Sequence, residues 1–226
     1  HYTDYFYTLN NGAGAEKGEG IANLITSKEA GRGPLANGGG GGNAHNGGGG
    51  GGGNGANGGF GGYEYDGTFC SGTMNTNTRG EGGKSLNYSN TLQKIYLGVG
   101  GGGGQANNNE GMLGTNGGGI IIIKSNSIVN NGFEIISNGI DAPLSGLDAA
   151  GGGGAGGTVL LDILNYTNAL TIETIGGKGG DIDHSNPNCW GPGGGGAGGV
   201  IWFSTSPPGN VTSTLTGGVA GLRITP

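Results

Sequence analysis

The chain has 226 residues, of which 63 are glycine and only 11% are charged, and its formal net charge is −6 at pH 7. Glycine without a strict three-residue period excludes collagen, and nine Lys and Arg residues give no basic face for nucleic-acid phosphates. No stretch approaches the roughly 18 apolar residues of a membrane-spanning helix. The apolar residues gather in short β-branched blocks, so we expect a folded chain with a thin core.

The first ten residues form an aromatic segment, HYTDYFYTLN. A start without Met predicts a processed chain or part of a longer one. Tyr5 and Tyr7 fall on one face of an extended strand, and Tyr2 and Phe6 fall on the other, so a groove is needed to hide all four rings. We expect residues 1–10 to pair with a neighbouring subunit, the alternative being an edge strand of the same chain.

The longest glycine run is the seven glycines of residues 47–53. Ordering glycine costs about 0.5–1 kcal/mol more than ordering alanine, so an ordered run needs backbone packing that a Cβ would block. Turns use one or two glycines, whereas extended segments of the polyglycine-II or polyproline-II type use whole runs laid side by side. We therefore predict that this run packs against another glycine tract.

Aromatic residues follow this run. Tyr63 and Tyr65 are candidate surface-binding residues that either pack over flat glycine faces or contact a sugar or a surface. Weak strands are predicted at residues 21–26 and 91–99. No segment has a capped pattern of period 3.6, so we expect almost no helix.

Three later segments share one plan, in which a glycine tract, a strand, a polar turn and a second strand follow each other. They span residues 116–139, 151–177 and 193–218, and the phrase GGGGAGG occurs in the last two. The turns are predicted at KSNS, LNYTN and SPPGN. Stacked as parallel coils, such units form a β-solenoid, which we favour; paired as hairpins, they form a β-sandwich.

The predicted fold class is therefore all-β. It is a glycine-rich β-solenoid or β-sandwich with packed polyglycine-II-like segments and almost no helix. We expect one domain over residues 1–226, with an N-terminal strand at residues 1–10 and three strand-pair repeats over residues 116–218.

Cys70 and Cys189 lie in Gly- and Asn-rich loops without the spacing of metal ligands. An even cysteine count in a chain with few lysines and much Asn, Thr and Gly indicates a location outside the cytosol. We predict a disulfide between the two, with two free thiols as the alternative.

One Gly-flanked loop is rich in side-chain oxygens. Asp181, Asp183 and Asn186 are candidate calcium ligands, because Ca²⁺ accepts Asp and Asn oxygens without strict geometry. A solvated Asx-rich turn has the same composition. The chain has no GxSxG, HExxH or Gly-rich loop ending in Lys-Ser/Thr, so we expect no enzyme and no cofactor, with calcium at this loop as the alternative.

A resemblance to known proteins rests on the phrases TVLLD, LTIETIGGKGGD, NCWGPGGGGAGGVIWFS and TGGVAG, within residues 98–225. In these the chain resembles glycine-rich, secreted or surface-exposed bacterial proteins, particularly of Bacteroidota, with repeated GGxIxI and GxIxANGGxGG phrases. The resemblance implies an extracellular, β-rich structural or adhesive role. In composition the glycine runs are also similar to those of T-even phage tail-tip adhesins, whose polyglycine helices pack in layers.

We therefore expect an extracellular or cell-surface structural protein, the subunit of a fibre or appendage that polymerises with itself. Adhesion, including contact with cell-surface glycans, is a second expected role. The alternative from the binding class is a receptor-, glycan- or ice-binding adhesin module, such as a phage tail-tip protein. No nucleic acid and no membrane insertion are expected.

Overall fold

The computed structural model describes residues 2–9, 12–64, 76–88, 94–107, 111–183 and 189–224. Within these ranges the helical structure is a 3₁₀ turn at Thr76–Thr78 and 3₁₀ conformation at Leu9, so the expected near-absence of helix is confirmed there. No helix in the described ranges is long and apolar enough to cross a membrane. The strands are β1 (Ile120–Val129), β2 (Glu134–Ile136), β3 (Thr158–Thr167), β4 (Leu170–Glu173), β5 (Ile182–Asp183), β6 (Val200–Phe203), β7 (Val211–Thr214) and β8 (Arg223–Ile224).

The strands form three sheets. One sheet has the order β1-β3-β6, the second has the order β2-β4-β7, and β5 pairs with β8. Every one of these pairs is parallel, and each three-stranded sheet takes one strand from each repeat. Parallel pairing is compatible with a β-solenoid, whereas consecutive hairpins would pair antiparallel strands.

One of the three predicted turns is wrong, and a second is right only at its last residue. The KSNS phrase lies inside β1, and the chain turns near Gly132 instead, where φ is 89°. Most of LNYTN lies inside β3, and the turn comes at the last residue of the phrase, Asn168, where φ is 67°. Glycine and asparagine adopt such left-handed angles more readily than other residues. The turn at SPPGN is confirmed, because Val211 N donates to Pro208 O at 3.0 Å.

An apolar core lies between the two three-stranded sheets. Its buried side chains come from the middle strands and are Val159, Leu161, Ile163, Leu170 and Ile172. Partly buried side chains that pack against them come mainly from the edge strands and are Ile121, Ile123, Ile128, Ile135, Tyr166, Ile201, Phe203 and Val211. Each fully buried side chain contributes about 1.5–3 kcal/mol. The core is therefore closed in the middle repeat and open at both ends.

The glycine run at residues 47–53 lies among six neighbouring segments. Its N–H groups donate to three of these segments in turn. Every third residue of the run therefore donates to the same segment. The pairs are Gly48 to Gly62, Gly49 to Ala150, Gly50 to Gly40, Gly51 to Gly59, Gly52 to Gly153 and Gly53 to Asn37, at 2.7–3.0 Å. Its carbonyls accept from the N–H groups of Gly80, Gly83, Gly102, Gln105, Gly194 and Ala197.

A Cβ in this run would overlap a neighbouring backbone. At each of residues 47–53 it would lie only 1.9–2.5 Å from a carbonyl oxygen. The run therefore packs against other glycine tracts, as the sequence predicts, and the close approach explains why no other residue type occurs in it.

The two GGGGAGG tracts carry the parallel register into the strands. Ala150 N donates to Gly191 O, and Gly156 N donates to Ala197 O. Immediately afterwards, β3 pairs with β6 in the same direction. Glycine tract and strand are thus one continuous parallel unit in these repeats.

The weak strands expected in the N-terminal half are not found among the residues described there. Residues 21–26 form bends and a turn, and residues 94–99 form no strand. Val99 O instead accepts from Ala155 N. This segment belongs to a glycine tract whose backbone hydrogen bonds reach several neighbouring segments, so it does not form the ladder of a β-sheet. Residues 91–93 lie outside the described ranges.

Candidate functional site

The N-terminal aromatic segment lies along its own chain. Tyr7 and Ala30 exchange two backbone hydrogen bonds of 2.9 and 3.0 Å, and Tyr2 N donates to Ala44 O at 2.7 Å. The rings of Tyr2 and Tyr7 meet edge to face at 6.1 Å, so the segment is not the straight strand assumed for the alternation of faces. Tyr2, Tyr5 and Phe6 remain exposed, and their contact with a neighbouring subunit stays a prediction.

Lys17 is a buried cation that holds this segment. Its Nζ donates to the carbonyls of Tyr5 at 2.6 Å and Gly31 at 3.0 Å, and also to that of Gly33. The Phe6 ring lies 4.8 Å from the same Nζ. Burial lowers the pKa of Lys17 to about 8.

We expect Lys17 to make the free energy of unfolding rise between about pH 8 and pH 10.5. In this window the unfolded chain keeps the proton on Lys17 while the folded chain releases it, and stability rises with pH wherever the unfolded state binds more protons. Lys17→Met should remove this part of the slope. Urea denaturation of both proteins across the window checks the prediction, and identical slopes would contradict it.

Of the two tyrosines expected at a binding surface, the structure describes only Tyr63. Tyr63 is half-buried, and its carbonyl accepts from Arg223 Nη2 at 2.7 Å. Tyr65 lies outside the described residues. Nearby, Phe60 is exposed and its ring lies 4.6 Å from the guanidinium carbon of Arg79. A binding role for Tyr63 and Tyr65 stays a prediction.

The carboxylate of Asp181 is engaged by its own chain. Its Oδ2 accepts from Lys178 Nζ at 2.6 Å, and its Oδ1 accepts from Leu222 N at 2.8 Å. Burial acts to raise the pKa of Asp181, but these two hydrogen bonds outweigh it and the pKa lies below its ordinary value. Asp183 ends β5, and Asn186 lies outside the described residues. No group of three or more His, Cys, Asp or Glu in the described ranges is placed to hold a metal.

Cys189 is half-buried beside Trp190, which packs with Ala150 and Ile182. No cysteine in the described ranges is a free thiol. Cys70 lies outside those ranges, so its pairing with Cys189 stays a prediction.

We expect neither Cys70 nor Cys189 to react with a maleimide in denaturant until a reductant is added. The disulfide would close a loop of about 120 residues and contribute on the order of 4 kcal/mol, so reduction should also lower the melting temperature. Intact mass spectrometry counts the adducts. Two adducts before reduction would rule the disulfide out.

The two ends of the strand stack are open. We call β1 and β2 the first-repeat edge, and β6 and β7 the third-repeat edge. Leu161 and Ile172 in the middle strands are fully buried, whereas Ile123 at the first edge and Phe203 at the third are only partly buried. Each edge thus leaves one side of the apolar core uncovered.

Backbone groups point outwards at the first-repeat edge. Thr158 N donates to Gly119 O, so Gly119 faces β3. Because successive residues of a strand face opposite sides, the N–H and C=O groups of Ile120 and Ile122 point away from β3.

The same holds at the third-repeat edge. Val200 N donates to Gly157 O, so Val200 faces β3 and the groups of Ile201 point away from it. In the second sheet, Leu170 N donates to Asn210 O, so Asn210 faces β4. By the same alternation, the N–H and C=O groups of Val211 and Ser213 point away from β4.

Few charges protect these edges. Residues 198–222 contain no charged side chain, and the strands of the first-repeat edge carry only Lys124 and Glu134. Lys124 lies 3.2 Å from Asp162, and hydrogen bonds from Ser204 and then Lys124 lower the pKa of Asp162. Natural sheets usually block exposed edges with charges, prolines or bulges. These edges are therefore suited to pairing with another strand.

An apolar row crosses the outer face of the first sheet. Ile122, Leu160 and Trp202 are paired side by side, and Ile122 and Trp202 are 58% and 43% exposed. Sequence reasoning missed this row because it assigned the apolar blocks to the core. The alternation of side chains along IIII and VIWF was the signal that could have found it.

A groove of about 260 Å³ lies beside the segment that precedes β1. Its lining includes Glu16, Glu19, Leu113 and two glycines, Gly100 and Gly103. A Cβ at these glycines would meet its nearest atom at 3.4 and 3.5 Å, so the groove is the open side of this tract.

No family model, curated protein or solved structure matches the chain. Its function is therefore inferred from the open edges and the glycine core.

Proposed function

We propose that the protein is an extracellular structural protein that polymerises with itself into a surface fibre or appendage. The observation that carries the proposal is the pair of unprotected parallel edges at opposite ends of one strand stack. A contact between two different surfaces of one subunit does not pair with itself, and repeating it yields a ring or an open filament. Two unlike edges on opposite sides of the stack favour the filament.

The glycine core is proposed to be a polyglycine-II lattice, and the strand stack a short β-solenoid. The hydrogen bonds of residues 47–53 repeat every third residue and reach six neighbours, which fits an extended helix with three residues per turn. Close backbone packing gives such a body stiffness with a small apolar core, and stiffness suits a fibre.

The extracellular location rests on the predicted disulfide of Cys70 and Cys189, since disulfides persist in oxidising compartments. The resemblance of residues 98–225 to glycine-rich bacterial surface proteins points the same way. The exposed rings of Tyr2, Tyr5 and Phe6 are proposed as an additional contact between subunits.

Imaging of the purified chain tests the proposal. We expect negative-stain micrographs to contain filaments of uniform width, and sedimentation to show mass that grows with protein concentration. A chain that stays monomeric at every concentration up to its solubility limit would contradict the fibre function.

A binding module is the second candidate, favoured by the groove between Glu19 and Leu113. Its glycine floor and polar wall suit an extended ligand such as a glycan of the cell surface. A monomeric chain that retains a labelled polysaccharide, and loses it when Gly103→Leu fills the groove, would favour this candidate. Retention that is unchanged in Gly103→Leu would contradict it.

A further inference from the structure

We infer that the joint of the fibre is a parallel strand pair between the third-repeat edge of one copy and the first-repeat edge of the next. In this pair, residues 200–203 of one copy lie beside residues 120–123 of the next. The inference rests on the proposed fibre function and specifies its interface, and the occupant of each edge is a second copy of this chain.

The register follows from the stack. Residues 120–123 pair with residues 158–161, which pair in turn with residues 200–203, without a slip in either step. One further step of the same kind places the next copy's Ile120 beside Val200. The glycine tract of residues 193–199 then lies beside the next copy's residues 116–119, as the glycine tracts of successive repeats already lie within one chain.

The hydrogen-bonding groups of the two edges match in this register. Ile201 points its N–H and C=O groups out of the third-repeat edge, and Ile120 and Ile122 point theirs out of the first. In a parallel pair, the groups of one residue bond to the two residues that flank its partner. The partner of Ile201 is the next copy's Ile121. The N–H of Ile201 therefore donates to the next copy's Ile120 C=O, and the C=O of Ile201 accepts from the next copy's Ile122 N–H.

The side chains also match. On the inner face, Phe203 meets the next copy's Ile123, and the two partly buried halves of the core cover each other. On the outer face, Trp202 meets the next copy's Ile122, so the exposed apolar row continues across the joint. No charged side chain of the third-repeat edge faces Lys124 or Glu134, so like charges do not oppose the contact.

Proline variants test the joint, because proline removes an N–H and is tolerated in edge strands where that N–H faces solvent. Ile122→Pro blocks the first-repeat edge at β1. Ser213→Pro blocks the third-repeat edge at β7, which in the same register lies beside the next copy's β2. Ile122→Val and Ser213→Thr are the matched controls, because they keep the N–H group. We expect each proline variant to lose the pelletable fibre fraction and each control to keep it.

Mixing the two proline variants separates a blocked joint from a misfolded chain. Ile122→Pro keeps its third-repeat edge and Ser213→Pro keeps its first-repeat edge, so the mixture should form heterodimers and nothing longer. Analytical ultracentrifugation measures this mass. Fibres that persist in either proline variant would overturn the joint but leave the fibre function standing. A mixture that stays monomeric, with both variants folded by circular dichroism, would also overturn the joint. A wild-type chain without fibres would remove the proposed function itself.

Discussion

Gly49→Ala should lower the free energy of unfolding by about 3 kcal/mol or more, the upper end of what overpacking costs. A Cβ at Gly49 would lie 1.9 Å from Gly102 O, and the backbone cannot move away without breaking bonds to other tracts. Gly103→Ala is the matched control, because a Cβ there meets its nearest atom, Ala15 Cβ, at 3.5 Å. We expect this control to be neutral or to stabilise the fold by up to about 1 kcal/mol.

Thermal unfolding followed by circular dichroism measures the difference. For a chain of this size each kcal/mol shifts the melting temperature by about 2–4 °C, so Gly49→Ala should melt roughly 6–12 °C below the wild type. Equal melting temperatures for the two alanine variants would contradict the close packing at Gly49.

Asn54→Leu should cost about 2–4 kcal/mol, because unpaired buried polar groups cost about 1–3 kcal/mol each. Asn54 is fully buried, its Nδ2 donates to Gly156 O at 2.7 Å, and its Oδ1 accepts from Tyr88 Oη. Tyr88 Oη also lies 3.1 Å from Thr158 Oγ1, and burial raises the pKa of Tyr88. The network therefore ties the end of the glycine run to the start of β3.

Asn57→Leu is the control for this change. Asn57 is exposed and its Oδ1 accepts a single hydrogen bond, from Ser85 N at 2.7 Å, so we expect a loss of less than about 1 kcal/mol. Denaturation in urea gives both values. If Asn54→Leu lost no more stability than Asn57→Leu, the buried network would not be what ties the glycine run to the start of β3.

The sequence predicted the repeats because their phrases recur, and recurrence implies equivalent positions in one stack. Its turn prediction failed at KSNS and was right at LNYTN only for the last residue, because polar residues on the open face of a long strand have the same composition as a turn. Asn168 illustrates the difficulty: its left-handed backbone marks the turn, but Asn165 in the same phrase lies in the strand.

The order of the glycine tracts could not be predicted. Gly49 bonds to Ala150 and Gly50 bonds to Gly40, and nothing in a run of identical residues distinguishes these partners. For the same reason the sequence does not reveal that Gly103 faces a groove while Gly49 is enclosed. The open edges also depend on sheet order, which the sequence predicts only as far as the repeats stack in parallel.

Helical reconstruction of the fibre by cryo-electron microscopy tests the central claim most directly. Each subunit adds three strand layers to the stack, and strands lie about 4.8 Å apart, so the expected axial rise is about 14 Å per subunit. Residues 200–203 should then pair with the next copy's residues 120–123 in an unbroken parallel sheet. A rise several times larger, or a sheet that stops at each subunit boundary, would contradict growth by strand addition.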